Sequence, residues 1–237
     1  MLSWLSKFLS RAAFCFCLVL LAGFFLPVTA QEGFSEITIH TSSVEYDENT
    51  GKIVAPGAST IEWGGVVIHC PALEVDTEKR ELKSSGEINI TWGTYRVKAL
   101  ELLYRGEENR LLLERVEGSG EGVVFTAPQV QVDFEKGQLI AEGEVSFGLE
   151  PFDLKCAKLI YSFQDKTWTA SEVHLSGGGW EGQAQKAVFK EGASFISVLG
   201  GARIVKGNHS MVGDEILIYP ETRKIQVKGE VSINIQP

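Results

Sequence analysis

Three aspartates recur at one position of a repeated pattern, and they are the first residues that could do acid–base chemistry. Asp47, Asp76 and Asp133 each end an alternating apolar segment and precede a turn. A secreted β-solenoid enzyme acting on polysaccharide would use clustered carboxylates. An aspartate at the start of a turn instead bonds the backbone two residues on. One carboxylate per turn forms no acid–base pair, so we favour turn formation and predict that the chain is not an enzyme.

The histidines are the second candidate set. His40 and His69 hold equivalent places in neighbouring units, whereas His174 and His209 stand elsewhere. Two histidines without a third ligand at a recognisable spacing do not define a metal site. The sequence also lacks a Gly-rich phosphate loop, a nucleophile elbow and a paired-cysteine motif. We therefore predict neither a metal nor a cofactor.

Residues 1–30 have the three-part form of a secretory signal. Lys7 and Arg11 precede the apolar run 12–26, and Val28-Thr29-Ala30 is a small-residue cleavage signature. We predict cleavage after Ala30, because a retained anchor helix, the alternative, needs roughly 20 apolar residues. The formal net charge of −9 becomes about −11 without the leader, which argues against a nucleic-acid partner.

The remaining chain is an internal repeat. It divides into seven blocks of 28 or 29 residues, namely 37–65, 66–94, 95–122, 123–150, 151–179, 180–208 and 209–237. The best-preserved blocks show an alternating apolar run, a turn and a second run with a central glycine such as Gly86 or Gly143. Alternation indicates strands, and a glycine inside a strand marks a bend. The pattern predicts one elongated all-β domain, 31–237, of about fourteen antiparallel strands that bend between two sheets.

Two of the seven units match the repeat pattern less closely than the others. Residues 96–117, in the third unit, are rich in helix formers and could form a helix if read alone. Leu102 and Tyr104 occupy the alternating slots of the neighbouring units, so we predict strands there. In the fifth unit we place the bend at Ser171, which stands where other units have glycine.

Alternation also predicts which side chains face the interior, where they either fill a core or line a slot for a lipid. The candidates are Val44, Tyr46, Leu73, Val75, Leu102, Tyr104, Val130, Val132, Leu159, Tyr161, Leu217 and Tyr219.

Cys70 and Cys156 occupy matching slots three units apart. A disulfide is the usual expectation in an exported protein. Two strands per unit at about 4.8 Å spacing place the two cysteines roughly 29 Å apart, beyond the reach of a disulfide. We predict two free thiols.

The motifs resemble a known family. Val44-Glu45-Tyr46-Asp47, Gly143-Glu144-Val145 and the closing segments 213–219 and 229–233 are similar to the OstA-like, LptA-type proteins of lipopolysaccharide transport, including the LptC and LptD N-terminal domains. The resemblance implies an open β-jellyroll in the periplasm that holds the acyl chains of lipopolysaccharide, or of a related envelope lipid, between its two sheets.

The resemblance also implies partners. Proteins of this type pair end to end with the same fold in inner- and outer-membrane components, and we expect head-to-tail homo-oligomers. Unpaired edge strands invite such pairing. The predicted edges are 36–40 and 227–235, with Ile37, Ile39, Val231 and Ile233 as assembly residues. The alternatives are a secreted β-solenoid polysaccharide-binding module or enzyme, and a structural envelope protein with a filled interior.

Overall fold

The described part of the chain is all-β. The computed structural model describes residues 37–63, 65–120, 123–149, 152–190, 192–219, 222 and 224–235. The expected leader at 1–30, with its cleavage after Ala30, lies outside the described residues and stays a prediction. Within the described ranges no helix has the length and apolar character needed to cross a membrane.

Eighteen strands follow one another along the chain. Their bounds are β1 Thr38–Thr41, β2 Glu45–Asp47, β3 Lys52–Ala55, β4 Ser59–Trp63, β5 Val66–Cys70, β6 Leu73–Asp76, β7 Glu81–Trp92, β8 Tyr95–Arg105, β9 Arg110–Gly120, β10 Val123–Asp133, β11 Gln138–Leu149, β12 Phe152–Ser162, β13 Thr167–Gly177, β14 Trp180–Lys190, β15 Ile196–Lys206, β16 His209–Tyr219, β17 Lys224–Lys228 and β18 Ser232–Ile235. Alternate long strands begin at residues 81, 110, 138, 167 and 196, so a pair of strands recurs every 28 or 29 residues, as predicted.

The eighteen strands form fourteen runs, where a run is a length of chain that crosses the sheet once. β1 with β2, β3 with β4, β5 with β6, and β17 with β18 are each one run broken in the middle, and Pro56, Pro71 or Gly229 lies at three of these breaks. Proline and glycine interrupt a strand ladder, which explains the larger number of strands. Each run pairs antiparallel with the next run along the chain.

A corner divides every run between two arms of one folded sheet. Register shifts fall between Ser85 and Ile88 and between Glu142 and Val145, at Gly86 and Gly143. Arm A contains β2, β3, β6, β17 and residues 81–85, 101–105, 110–114, 129–133, 138–142, 158–162, 167–171, 186–190, 196–199 and 215–219. Arm B contains β1, β4, β5, β18 and the other halves of the long strands. The two arms correspond to the two sheets of the expected jellyroll.

The corner of the fifth repeat corrects one prediction. It lies at Glu172, whose φ is +55°, and not at Ser171. The glycine corners contain a bulge with one extra residue, whereas β12 and β13 pair on both sides of their corner without a register shift. A non-glycine residue in the left-handed region therefore turns this strand, and the turning position moves by one residue.

The third repeat forms strands β8 and β9, as predicted, joined by a turn at 106–109. Such four-residue turns end arm A at 48–51, 77–80, 106–109, 134–137 and 163–166. Each turn bonds to its neighbour, for example through the Phe134 amide to the Asn109 carbonyl at 3.1 Å and the Phe163 amide to the Gly137 carbonyl at 2.9 Å. The turns therefore form a hydrogen-bonded stack along the tip of arm A.

Candidate functional site

The inner faces of the arms carry apolar side chains in register. In arm A one row of paired positions runs through Ile53, Val75, Leu82, Tyr104, Leu111, Val132, Leu139, Tyr161 and Trp168. In arm B the corresponding row runs through Ile39, Ile61, Ile68, Ile90, Val97, Gly118, Phe125 and Phe147. Because side chains alternate across a strand, each row faces one way along its whole arm. The fold thus places two apolar faces opposite each other.

A cavity of about 90 Å³ lies between these faces. Both arms contribute to it, and every lining residue is apolar. The lining consists of Trp63, Val66, Ile68, Ile90, Val97, Leu111, Leu113, Val116, Phe125, Val130, Val132, Phe134, Leu139, Ala141, Val145, Phe147, Leu159 and Phe163. A cavity with such walls offers no hydrogen-bonding partner to water and favours a hydrocarbon ligand.

A glycine helps to shape the cavity wall. Gly118 stands in the inner row of arm B, where a Cβ atom would collide with the ring of Phe125. The absence of a side chain at Gly118 lets the ring of its cross-strand partner Phe125 lie across the strand, where it lines the cavity. A larger residue at position 118 would displace this ring.

Aromatic rings cover the side of the cavity between the arm tips. Trp63, at the end of β4 in arm B, lies 5.6 Å from Tyr104 and 5.5 Å from Phe134, measured between ring centroids. Tyr104 belongs to arm A, and Phe134 begins one of its stacked turns. Trp63 therefore connects the two arms at the edge opposite the corner.

No charged side chain lines the cavity, and the recurring aspartates lie at the turns. The recurring aspartates accept backbone hydrogen bonds of 2.9 Å, Asp47 from Asn49, Asp76 from Lys79 and Asp133 from Lys136. They belong to separate turns. Asp47 bonds the amide two residues on, as predicted, whereas Asp76 and Asp133 bond the amide three residues on. Asp133 is also within 3.3 Å of the Arg110 Nε and the Lys136 Nζ, so its charge is balanced locally.

The twelve predicted interior residues fall into four groups. Val130, Val132 and Leu159 line the cavity. Leu73, Leu102, Tyr104, Tyr161 and Leu217 are buried and are not part of its lining. Val75 and Tyr219 are half-buried. The inner row of arm A continues through Phe189, Ile196 and Ile218. Leu217 and Tyr219 flank Ile218 in sequence and therefore lie on the outer face, so their prediction as interior residues is wrong. Val44 and Tyr46 are 54% and 59% exposed, which corrects their placement in the interior. They belong to the first run, and no further strand among the described residues covers this end of the sheet.

The prediction missed the whole of arm B, because eleven of the twelve candidates belong to arm A and Val44 directly precedes β2. The arm B wall includes Ile90, Val97, Val145 and Phe147. Its signal was present in the sequence as the alternation that follows each corner glycine, for example in Gly143-Glu144-Val145-Ser146-Phe147. Phe134 and Phe163 could not be found in this way, because they stand in turns and outside the alternation.

His40 and His69 are exposed and pair with Thr60 from either side. The His69 Nδ1 lies 3.0 Å from the Thr60 Oγ1, and the His40 Nε2 lies 4.0 Å from a Glu62 carboxylate oxygen. Within the part of the chain that the structure describes, no group of three or more His, Cys, Asp or Glu side chains could hold a metal ion.

Cys70 and Cys156 are both free and buried. They lie on β5 and β12, six runs apart, which agrees with the predicted separation along the stack. Burial raises the pKa of the Cys156 thiol to about 11, so this thiol is protonated at neutral pH.

The two ends of the sheet expose apolar residues. Ile39 on β1 and Ile233 on β18 are 37% and 58% exposed, and Val231 beside β18 is also exposed. Ile37 precedes β1 and packs partly against the core. β1 pairs with β4 and β18 pairs with β16, and the described residues show no strand on the other side of either.

Comparisons with known proteins identify the family of this chain. The family described as LptA/(LptD N-terminal domain) LPS transport protein matches residues 38–224. Among solved structures, LptH of Pseudomonas aeruginosa, the LptA-homologous periplasmic component of its lipopolysaccharide transport device, is 16% identical with a TM-score of 0.43 over 49% of this chain and 96% of LptH. No curated protein sequence matches significantly. Because the family match spans most of the chain, this protein belongs to the LptA/LptD N-terminal domain family of lipopolysaccharide transport proteins.

Proposed function

We propose that this protein is a non-enzymatic periplasmic bridge that carries lipopolysaccharide, or a related envelope lipid, from the inner to the outer membrane. The observation that supports this function best is the cavity between the arms, because its walls are entirely apolar. Each acyl methylene transferred from water into such a site contributes about 0.8 kcal/mol. The family membership favours lipopolysaccharide as the lipid.

The charge distribution supports a ligand that is held by its acyl chains. The protein carries a formal net charge of −9, which does not favour binding of an anionic headgroup. The basic side chains Arg110 and Lys136 are engaged by Asp133 at the arm A tip. In this arrangement the sugars and phosphates remain in solvent while the acyl chains occupy the cavity.

The open ends support assembly in a chain. β1 and β18 each offer backbone groups to a further strand, and their exposed apolar residues Ile39, Val231 and Ile233 would be covered by it. We infer that copies associate head to tail. The same edges would join this protein to inner- and outer-membrane components of the same fold.

Photo-crosslinking in cells tests the lipid-binding function. A photoreactive phenylalanine analogue at Phe147, which lines the cavity, should crosslink to lipopolysaccharide. The matched control is Val124, which is exposed on the adjacent strand β10. Two further positions, Leu73 and Leu102, are buried outside the cavity lining and should give little product.

Each outcome separates the candidate functions. Lipid crosslinks at Phe147 and none at Val124 support the bridge. Equal crosslinking at the two positions would show only surface contact with lipid and would contradict binding in the cavity. Absence of crosslinks at all four positions would favour the structural envelope protein with a filled interior. Crosslinks to polysaccharide without lipid would favour the polysaccharide-binding alternative.

A further inference from the structure

The outer face of arm A, which points away from the cavity, carries an apolar row. Five of its members are the half-buried residues Leu103, Leu112, Ile140, Ile160 and Val188, which we call the outer stripe. They flank inner-row residues in sequence and therefore project outward, and none of them packs against the hydrophobic core. Every described strand already belongs to the one folded sheet, so no described strand is left to cover the outer stripe.

The outer stripe is specific to arm A. On strands β8, β9 and β12, the outer face of arm B has Lys98, Glu117 and Lys155. Polar residues are usual on the solvent side of an antiparallel sheet. A continuous aliphatic row on the solvent side of arm A instead marks an interaction surface.

The outer row has the same polarity pattern on both sides of its centre. The centre lies between β11 and β12, whose outer-stripe residues are cross-strand partners. On each side the row continues with a polar and then an aliphatic residue, Gln131 and Leu112 in one direction and Thr169 and Val188 in the other. A twofold axis through this centre, parallel to the strands, places these residues opposite their counterparts in a second copy. Two sheets packed face to face lie about 10 Å apart.

The charges beside the outer stripe fit the same arrangement. The next outer row towards the corner contains Glu114 on β9, Glu142 on β11, Lys158 on β12 and Lys186 on β14. Acidic residues therefore lie on one side of the centre and basic residues on the other. The twofold rotation brings Glu114 of one copy opposite Lys186 of the other, and Glu142 opposite Lys158. The surface is thus electrostatically complementary to itself.

Charge also decides between the two orientations that a twofold pair could take. With the axis parallel to the strands, Glu114 and Lys186 gain partners, and neither forms an ion pair among the described residues. Arg110 then lies opposite Lys190, but Asp133, 3.3 Å from the Arg110 Nε, balances its charge. With the axis along the stack, Lys186 would lie opposite Lys190 of the second copy, and Glu114 would meet an arginine that Asp133 already engages. The first orientation is therefore favoured.

The outer stripe and its two flanking rows are large enough for a weak interface. Seven strands, β8 to β14, at about 4.8 Å spacing and five residues per strand at about 3.4 Å make a face of roughly 34 by 17 Å. Two such faces together bury roughly 1,100 Å², near the lower limit for a specific complex. We therefore expect pairing that depends on concentration, with a dissociation constant in the micromolar range.

We propose that two copies of this protein associate side by side through the outer stripes of arm A, with their stacks running in opposite directions. This surface lies on the far side of arm A from the cavity and does not include β1 or β18, so the pair neither requires lipid nor uses the edge strands. A bridge between two membranes has one direction, which only one copy of such a pair can follow. The pair is therefore a resting form of the protein, separate from the bridge.

Sedimentation velocity tests the pair in Val231→Pro with Ile233→Pro, because proline at the β18 edge blocks head-to-tail strand pairing. Dilute protein should sediment as a single chain, and dimers should form as the concentration rises. Glu114→Lys or Lys186→Glu alone creates two like-charge contacts per dimer and should raise the dimer dissociation constant about tenfold or more. The two reversals combined restore opposite charges and should return the constant to within about threefold of its starting value.

The matched control is Glu117→Lys, which makes the same charge change on the same strand β9 but on the outer face of arm B. It should change the dissociation constant by less than about twofold. If the paired prolines unfold the protein, Glu114→Cys with Lys186→Cys in the otherwise unchanged chain provides a second measurement. These positions lie five strands apart, about 24 Å, so a short bismaleimide can join them only between copies paired through the outer stripe, and covalent dimers are expected.

Each contrary result has a definite meaning. Protein that stays monomeric at every concentration overturns the proposal, and if it instead floats with phospholipid vesicles until Ile160→Lys abolishes flotation, the outer stripe is a membrane contact. Dimers that neither single reversal weakens, or that the combined reversals fail to restore, overturn the antiparallel arrangement. Lipid crosslinking at Phe147 is independent of all these outcomes, so failure of the pair leaves the proposed lipid-binding function intact.

Discussion

Replacement of Asp133 by alanine tests whether the arm A turns hold the stack together. Only 1% of the surface of Asp133 is exposed, and its carboxylate accepts a 2.9 Å hydrogen bond from the Lys136 amide. It also lies 3.3 Å from the Arg110 Nε and the Lys136 Nζ. Alanine removes the acceptor and leaves the turn amide without this partner.

The expected loss for Asp133→Ala is about 2–3 kcal/mol in the free energy of unfolding. One hydrogen bond to a charged group accounts for roughly 1.5–3 kcal/mol, and the two ion pairs add little because the basic side chains are largely exposed. Urea denaturation followed by circular dichroism should show a midpoint lower by about 1 M. The matched control is Asp47→Ala, whose carboxylate makes the equivalent bond in an exposed turn and should change the midpoint less.

The pH dependence of the difference in unfolding free energy between the wild type and Asp133→Ala provides a second check. Burial opposes ionisation of Asp133, but the hydrogen bonds from Lys136 and the charges of Lys136 and Arg110 outweigh it, so the pKa is lowered. A lowered folded-state pKa means that the carboxylate stabilises the fold above its unfolded pKa of about 3.9 and that this contribution is lost as the pH falls through the folded value. The difference in unfolding free energy between the wild type and Asp133→Ala should therefore become smaller below about pH 4. A difference that does not change with pH would refute the stabilising role of the ionised Asp133 carboxylate. A larger loss of unfolding free energy for Asp47→Ala than for Asp133→Ala would refute it as well.

Two further predictions concern the sheet edge and the corner. Paired prolines at Val231 and Ile233 should reduce head-to-tail oligomers to single chains in multi-angle light scattering, because proline blocks strand pairing, and unchanged assembly would rule out this edge. Glu172→Gly should stabilise the protein by about 1 kcal/mol in thermal unfolding by relieving the positive φ. Ser171→Gly is its control and should not stabilise, since Ser171 is not the residue with positive φ and its hydroxyl contacts the Lys158 carbonyl at 3.5 Å.

Much of the fold could be predicted because the repeat carries its own secondary-structure signal. Alternation of apolar residues around Leu102 and Tyr104 specified strands even where the composition favoured a helix. The corner at Gly143 could also be predicted from the sequence, since glycine inside an alternating run marks a bulge. The corner at Glu172 could not be predicted, because a residue with a side chain adopts the left-handed conformation only under the constraint of its paired neighbours.

The candidate site was harder to predict than the fold. Val130, Val132 and Leu159 were identified because their inward direction follows from alternation. The same alternation placed Tyr46 inside, and the structure exposes it because the sheet ends at this run. The alternation in Ile61-Glu62-Trp63 indicated an inward Trp63, but its ring contact with Tyr104 forms only when the arms fold together.

The sequence by itself determined the strands, their period of 28 or 29 residues and the alternation of side chains between the two faces of each strand. These properties are local, because strand direction and turn chemistry depend on neighbouring residues. The tertiary structure decided how the two arms approach each other, which inward residues fill the core, which surround a cavity and which aromatic rings cover its side between the arm tips. These properties depend on packing between residues far apart in the chain, and packing is set by the shapes of both faces together.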